Sequence, residues 1–191
     1  MKLKKQFLSI ALSMTMAAVC MPAVFAAETA FTDVDEQSYY SEAVNYMTEN
    51  NLMVGIDNTM FGVDAPVSRA MAVTVLQRMS GVSGVEFKGV FSDVTEDSYY
   101  AKPVEWSAAN GIASGFEDGT FAPDETITMQ DAVSFLYRYA KSSKAYVTVD
   151  ANANLESFND ADKVAAYAYD ALVWATNRGI LTGEDGNLNP D

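Results

Sequence analysis

The chain has 191 residues, with 12 basic against 26 acidic side chains, no histidine and a single cysteine, Cys20. That composition excludes Cys–His and Ser–His nucleophilic catalysis and ordinary zinc sites. The acidic excess argues against nucleic acid and against the face of an anionic membrane. No cofactor and no metal is implied, so any hydrolytic chemistry would rest on carboxylates.

The first element is a leader. "MKLKKQ" is a short basic start, and the apolar, uncharged run that follows ends in small residues at Ala26. That is the layout of a secretory signal over residues 1–26, cleaved after Ala26 with Val24 and Ala26 in the small-residue positions. The alternative is an uncleaved membrane anchor, since the run is long enough to tempt. Cleavage removes Lys2, Lys4, Lys5 and Cys20, leaving 9 basic against 26 acidic side chains, a net charge of −17. The exported chain then has no disulfide, no thiolate site and no further contact with a membrane, and its surface is strongly hydrated.

A duplication follows. "FTDVDEQSYY" at Phe31 returns as "FSDVTEDSYY" at Phe91, and residues 31–78 align with 91–138 without a gap, 16 of 48 positions being identical. A looser third copy starts at Phe158. There Asp160 matches Asp93, Trp174 matches Trp106, Gly179 matches Gly111 and Gly183 matches Gly115; Asp191 corresponds to Asp64 and Asp124. Such a period marks stacked supersecondary units, each too small to bury much alone. The expected organisation is a first repeat over 27–82, a second over 83–141, a linker over 142–157 and an incomplete third repeat over 158–191, with a further domain possible beyond Asp191.

Each repeat reads as helix, loop, helix. In the first, Tyr40, Val44, Met47 and Asn51 share one helical face; in the second, Tyr99, Pro103, Trp106 and Asn110 do. Pro103 suits a first turn, and Asn51 and Gly111 suit left-handed ends. The middle segments "VGIDNTMFGVDAPV" and "SGFEDGTFAPDETI" are turn-rich, each with one aromatic, Phe61 or Phe121, expected to plug the core. Ser68 and Thr128 are expected N-caps of the second helices. Met71, Val75 and Met79 form the expected buried stripe of the first of these, and Gly81 its stop. Within the connector, "AYVTV" leans toward β structure.

Taken in order, "FTDV"/"FSDV", a helix with a central aromatic, "NG" and "G", then "F…D" and a helix opened by "VSRAM" or "ITMQD" resemble the S-layer homology family over about residues 30–191. The resemblance implies a mainly α fold, tandem helix-loop-helix repeats forming a pseudo-threefold bundle. It also implies a partner, a secondary cell wall polysaccharide carrying pyruvate ketals, gripped in grooves between repeats. The family position of Arg69 places a planar guanidinium where a ketal carboxylate can be held by two hydrogen bonds. Around it the expected ligand-binding residues are Ser68, Trp106, Ser114, Gly115, Thr128, Trp174 and Gly183, with free N–H groups at the helix start adding to the attraction. Met129 replaces the arginine in the second repeat, so one competent arginine site is expected. Asp33, Asp93 and Asp160 are expected to cap helices or brace loops.

Three other functions compete. A calcium loop would use Asp185, Asn187, Asn189 and Asp191, but Pro190 stands where glycine belongs. A carboxylate-based glycan hydrolase lacks a singular acid pair. A helical scaffold that docks a protein without binding glycan shares the same periodicity.

Overall fold

Residues 31–145 and 147–191 are described in a computed structural model, and among these described residues five α-helices and one short 3-10 turn organise the chain. The leader 1–26 and Cys20 lie outside the described residues. Helix α1 spans Ser41–Glu49, α2 Arg69–Ser80, α3 Ala101–Ala109, α4 Met129–Ser142 and α5 Tyr169–Asn177, with the 3-10 turn at Ala161–Lys163. No strand occurs among the described residues, and residues 147–149 of the β-leaning piece take no regular form. The fold is mainly α.

The helix ends follow their residues. Ser68 Oγ accepts from Met71 N at 3.2 Å and Thr128 Oγ1 from Asp131 N at 3.3 Å, the capping bonds expected of a hydroxyl at a helix start. Gly81 closes α2 in the left-handed region, and Asn51 and Gly111 take positive φ just after α1 and α3.

Helix α2 packs against both α3 and α4, and α4 packs against α5; α1 packs against none of the other described helices. The longest helices are therefore the internal ones. One apolar cluster gathers Val73, Leu76, Val104, Trp106 and Phe135 around fully buried Phe121. A second gathers Val133, Leu155, Leu172, Trp174 and Leu188, and Leu136 of α4 borders both. This corrects the expected stripe of α2. Met71 and Met79 are exposed, while Ala70, Val73, Thr74 and Leu76 are buried, because α2 is wedged between two helices and the buried face is the one they define. Phe61 is half-buried where Phe121 is buried completely.

Three aspartates brace the loops rather than cap the helices. Asp33 accepts from the N–H groups of Phe61, Gly62 and Val63; Asp93 from Phe121 and Ala122; Asp160 from Leu188 and Asn189. Each ties the residue that enters the core to the start of its own repeat. For Asp160 the Leu188 N–H leads in holding the carboxyl below its usual range, against burial.

Candidate functional site

The site begins where repeat two docks on the start of α2. Residues 67–68 run antiparallel to 126–127: Ser68 bridges Thr126, and Ile127 N donates to Val67 O at 2.9 Å. The same loop uses the helix's own donors. Arg69 N donates to Glu125 O at 2.9 Å, Ala70 N to Pro123 O at 3.0 Å, and Met71 N to the capping hydroxyl of Ser68. The expectation that free N–H groups here attract an anion is thus overturned. A helix start left open would leave donors unpaired, and the next repeat pairs them.

What remains is the Arg69 side chain, which is only 6% exposed. Its Nε donates to Phe121 O and its Nη2 to Ser114 O, both at 3.0 Å. The guanidinium carbon lies 4.9 Å from the ring centre of Phe116, 5.0 Å from Phe121 and 5.4 Å from Phe135. Cation–π attraction and two carbonyl acceptors hold the cation where water is scarce. Burial pulls its pKa down, opposed by the more distant charges of Asp131 and Glu125. Among the described residues, Arg69 forms no ion pair, and its Nη1 has no hydrogen-bond partner. Among the described residues, the fully buried side-chain atom without a partner is Trp174 Nε1, and Arg69 Nη1 is not such an orphan. The arrangement presents one unused donor edge of a cation whose charge no carboxylate neutralises directly.

The other expected site residues divide. Ser114 is brought to Arg69 through its carbonyl, with Gly115 beside it against Phe91; a Cβ at Gly115 would collide with that ring and with Thr120 O. Ser68 and Thr128 act as caps. Trp106 and Trp174 are buried, against Tyr139 and Tyr137 at 6.1 and 5.4 Å between ring centres, so each is packed in an apolar cluster against a ring of α4. Gly183 belongs to repeat three, at positive φ beside Phe158. Among the described residues no group of acidic or cysteine side chains could hold a metal ion, and Asp191 of the candidate calcium loop accepts from Gln130 Nε2 at 3.0 Å.

Sequence reasoning missed the three phenylalanines around Arg69 and the whole role of Gln130. At the start of α4, Gln130 N donates to Pro190 O, its Nε2 to Asp191, and its Oε1 accepts from Ala165 N at 2.9 Å. Beside it Tyr167 OH donates to Asp131 Oδ1 at 2.7 Å; burial and this bond push the phenol up to about 12. The signal was available as a departure between copies: repeat one has Ala70 and Met71 at these places.

The S-layer homology domain family matches residues 30–72, 90–133 and 157–191. A cell surface protein of Thermoanaerobacter kivui is 29% identical over 143 residues, which cover 72% of this chain and 19% of that protein. A surface-layer 125 kDa protein of Lysinibacillus sphaericus is 27% identical over 196 residues, covering 98% of this chain and 16% of its own length. An exoglucanase of Acetivibrio thermocellus is 24% identical over 159 residues, 83% of this chain and 14% of the enzyme. The chain spans less than a fifth of the length of these relatives.

Proposed function

The chain belongs to the S-layer homology domain family, and from that membership we propose that it anchors an exported protein non-covalently to a bacterial cell wall by binding an acidic wall polysaccharide. Its place is the cell surface, in keeping with the surface-layer and cell surface proteins it is similar to. The module is non-catalytic; the exoglucanase among its relatives shares only a small part of its length with this chain. The ligand we infer is a secondary polymer whose sugars carry pyruvate ketals, each a carboxylate fixed on a pyranose.

One observation carries the reading: Arg69 is a buried cation with two donors committed to repeat two and, among the described residues, neither an ion pair nor a hydrogen-bond partner on Nη1. Pre-placed in an aromatic surround, the guanidinium loses little entropy on meeting a carboxylate, and that hydrogen bond is charge-assisted. A protein of net charge −17 repels an acidic polymer at long range. Attraction is therefore confined to contact distance, and moderate salt, which screens the repulsion, should leave binding unweakened.

The test is sedimentation with purified walls rich in pyruvylated polymer, before and after mild acid removal of the ketals. Arg69→Gln is expected to weaken binding by about tenfold or more, the size of one lost charge-assisted bond. Arg69→Lys should not restore it: with Nε and Nη2 spent on Phe121 O and Ser114 O, the expected two-bond grip on a carboxylate gives way to Nη1 alone, and an ammonium cannot make both carbonyl bonds and still offer that donor in the same plane. Undiminished binding by Arg69→Gln would remove the basis of this reading. A second reading, a scaffold that docks another protein, draws on α1, where Tyr46 is 61% exposed although its counterpart Trp106 is 7% exposed. Capture of protein but not of walls would favour it.

A further inference from the structure

Twice in the chain the second helix of one repeat starts against the turn of the next repeat, whose first helix packs on it: α3 on α2, and α5 on α4. Repeat one carries the receiving half of the same joint, but α1 packs against no other described helix. We propose that this face of repeat one is a protein-docking surface, and that its occupant is a hydroxyl-capped helix start with an arginine next to the cap, carried by a second polypeptide. The inference goes beyond wall anchoring and does not depend on Arg69.

The other two repeats show what the face lacks. Ala43, Asn45 and Tyr46 are exposed on α1, whereas Pro103, Glu105 and Trp106 on α3, and Ala171, Val173 and Trp174 on α5, are buried at the same places. Tyr167 OH bonds Asp131 at the start of α4; Tyr39 stands at its place in repeat one and is 97% exposed. The backbone repeats as well. Pro123 O and Pro190 O accept the N–H groups of Ala70 and Gln130, and Glu125 O accepts that of Arg69. Their counterparts in repeat one, Val63 O and Ala65 O, accept no hydrogen bond among the described residues. The same holds for Val54 O and Phe61 O, which stand where Ser114 O and Phe121 O grip the Arg69 guanidinium. Val54 and Ile56 are themselves exposed, apolar surface of the kind a docked helix covers.

Charge decides which kind of helix start fits. Repeat three carries Lys163 and Arg178 in its receiving half and takes the uncharged pair Met129 and Gln130. Repeat two carries Lys102 alone and takes Arg69. Residues 31–68 of repeat one carry seven acidic side chains and no basic one. A cation is favoured there more than at either joint already made, and the four carbonyls offer acceptors to it and to the first N–H groups of the helix. A second copy of the chain would bring its own acidic face, and like charge disfavours that pairing. Among the described residues, both helix starts of this kind are spent on the repeat that follows them, which places the occupant on another polypeptide.

The experiment is amide NMR titration of residues 27–191 with a peptide of the sequence 66–81, held helical by a side-chain staple between the places of Val75 and Met79. Shifts are expected at Tyr46, Val54 and Val63, and affinity should fall as salt is raised, because the attraction is between opposite charges. Arg69→Gln within the peptide should weaken binding about tenfold, the size of one lost charge-assisted contact. Tyr46→Glu in the chain should abolish the shifts at an unchanged urea midpoint, since Tyr46 is exposed. Absent shifts, or shifts that Tyr46→Glu leaves in place, overturn the docking surface. A dimer of the chain that Tyr46→Glu disperses, with no response to the peptide, overturns it too, for the face then meets its own copy. If a longer form of the chain refuses the peptide that residues 27–191 accept, the helix comes from the same polypeptide and the proposal falls. Wall sedimentation keeps this apart from anchoring: Tyr46→Glu should bind walls as the parent does, and the chain carrying Arg69→Gln should still take the peptide.

Discussion

The starts of α2 and α4 are the same construction with opposite consequences. Both open on a hydroxyl cap, and both receive a carbonyl of the following repeat, Pro123 O on Ala70 N and Pro190 O on Gln130 N. At α4 the side chains then complete the seal. Gln130 spends both ends of its amide on repeat three, and Asp131 is taken by Tyr167. At α2 the corresponding residues, Ala70 and Met71, offer no polar group, and the cation one place earlier keeps a donor free. The comparison teaches that a repeated joint can be made a lock or a socket by two or three side chains, with the backbone unchanged.

The largest way to break either joint is to remove its plug. Phe121 lies under Arg69, and Leu188 holds the equivalent place in repeat three, both almost wholly buried. Phe121→Ala should cost about 3–5 kcal/mol and Leu188→Ala about 2–5 kcal/mol, from lost burial plus the cavity left behind. Urea unfolding reads both. Only Phe121→Ala should also impair wall binding, because the ring and its carbonyl position Arg69. Equal loss of binding in the two variants would mean that general loosening, not the Arg69 surround, sets affinity.

Gln130→Ala tests the lock itself. It removes two side-chain hydrogen bonds from a residue that is 7% exposed and leaves Asp191 and Ala165 N seeking water. A cost of about 1–3 kcal/mol is expected for such a buried polar deletion. Wall binding should hold under conditions where the variant is folded. The reverse change, Ala70→Gln, forces an amide into a position with no exposure and no partner and should destabilise as well.

The sequence made some of this legible and not the rest. The repeats, the hydroxyl caps at Ser68 and Thr128, and the left-handed ends at Asn51, Gly81 and Gly111 are local, decided by one residue and its immediate backbone. The exchange of Arg69 for Met129 was equally visible, so the inequality of the joints could be read. The surround of Arg69 could not, since Phe121 and Phe135 lie 52 and more positions away and reach it only because α2 is wedged against the next repeat. The same wedging turned Met71 and Met79 outward, against a stripe drawn from spacing alone. Gln130 looked like a neutral helix residue because its partners, Ala165 and Asp191, belong to another repeat.

Acid should loosen the loops that feed both joints. Asp160 holds the turn at Leu188 and Asn189 of repeat three, and Asp33 the matching turn at residues 61–63 of repeat one. The Asp160 carboxyl is lowered chiefly by the Leu188 N–H. In Asp33 burial, the largest influence, pushes upward and is outweighed by the N–H groups of Phe61, Gly62 and Val63. A carboxyl depressed in the native state contributes stability that is complete above its unfolded value, about 3.9, and is lost as pH falls through the native value. The urea midpoint should thus stay level from neutrality to about pH 5 and drop below about pH 4. In Asp160→Asn, which cannot ionise, the drop should be shallower; an unchanged acid limb would show that other carboxyls govern it.

The smallest change separates capping from ligand contact. Ser68→Ala and Thr128→Ala each remove one hydroxyl that accepts a helix N–H, at 3.2 and 3.3 Å, and each should cost about 1 kcal/mol. If the hydroxyls are caps and nothing more, the two losses match and neither variant changes wall binding beyond what its stability explains. Ser68, however, stands beside Arg69 at the socket, whereas Thr128 opens the lock. A loss of affinity confined to Ser68→Ala, measured well below the unfolding midpoint, would therefore give that hydroxyl a share in the ligand that its partner in repeat two does not have. The lengths of the two bonds, at the long end of the usual range, make this a fair contest: a cap this loosely held can turn toward a sugar at little expense.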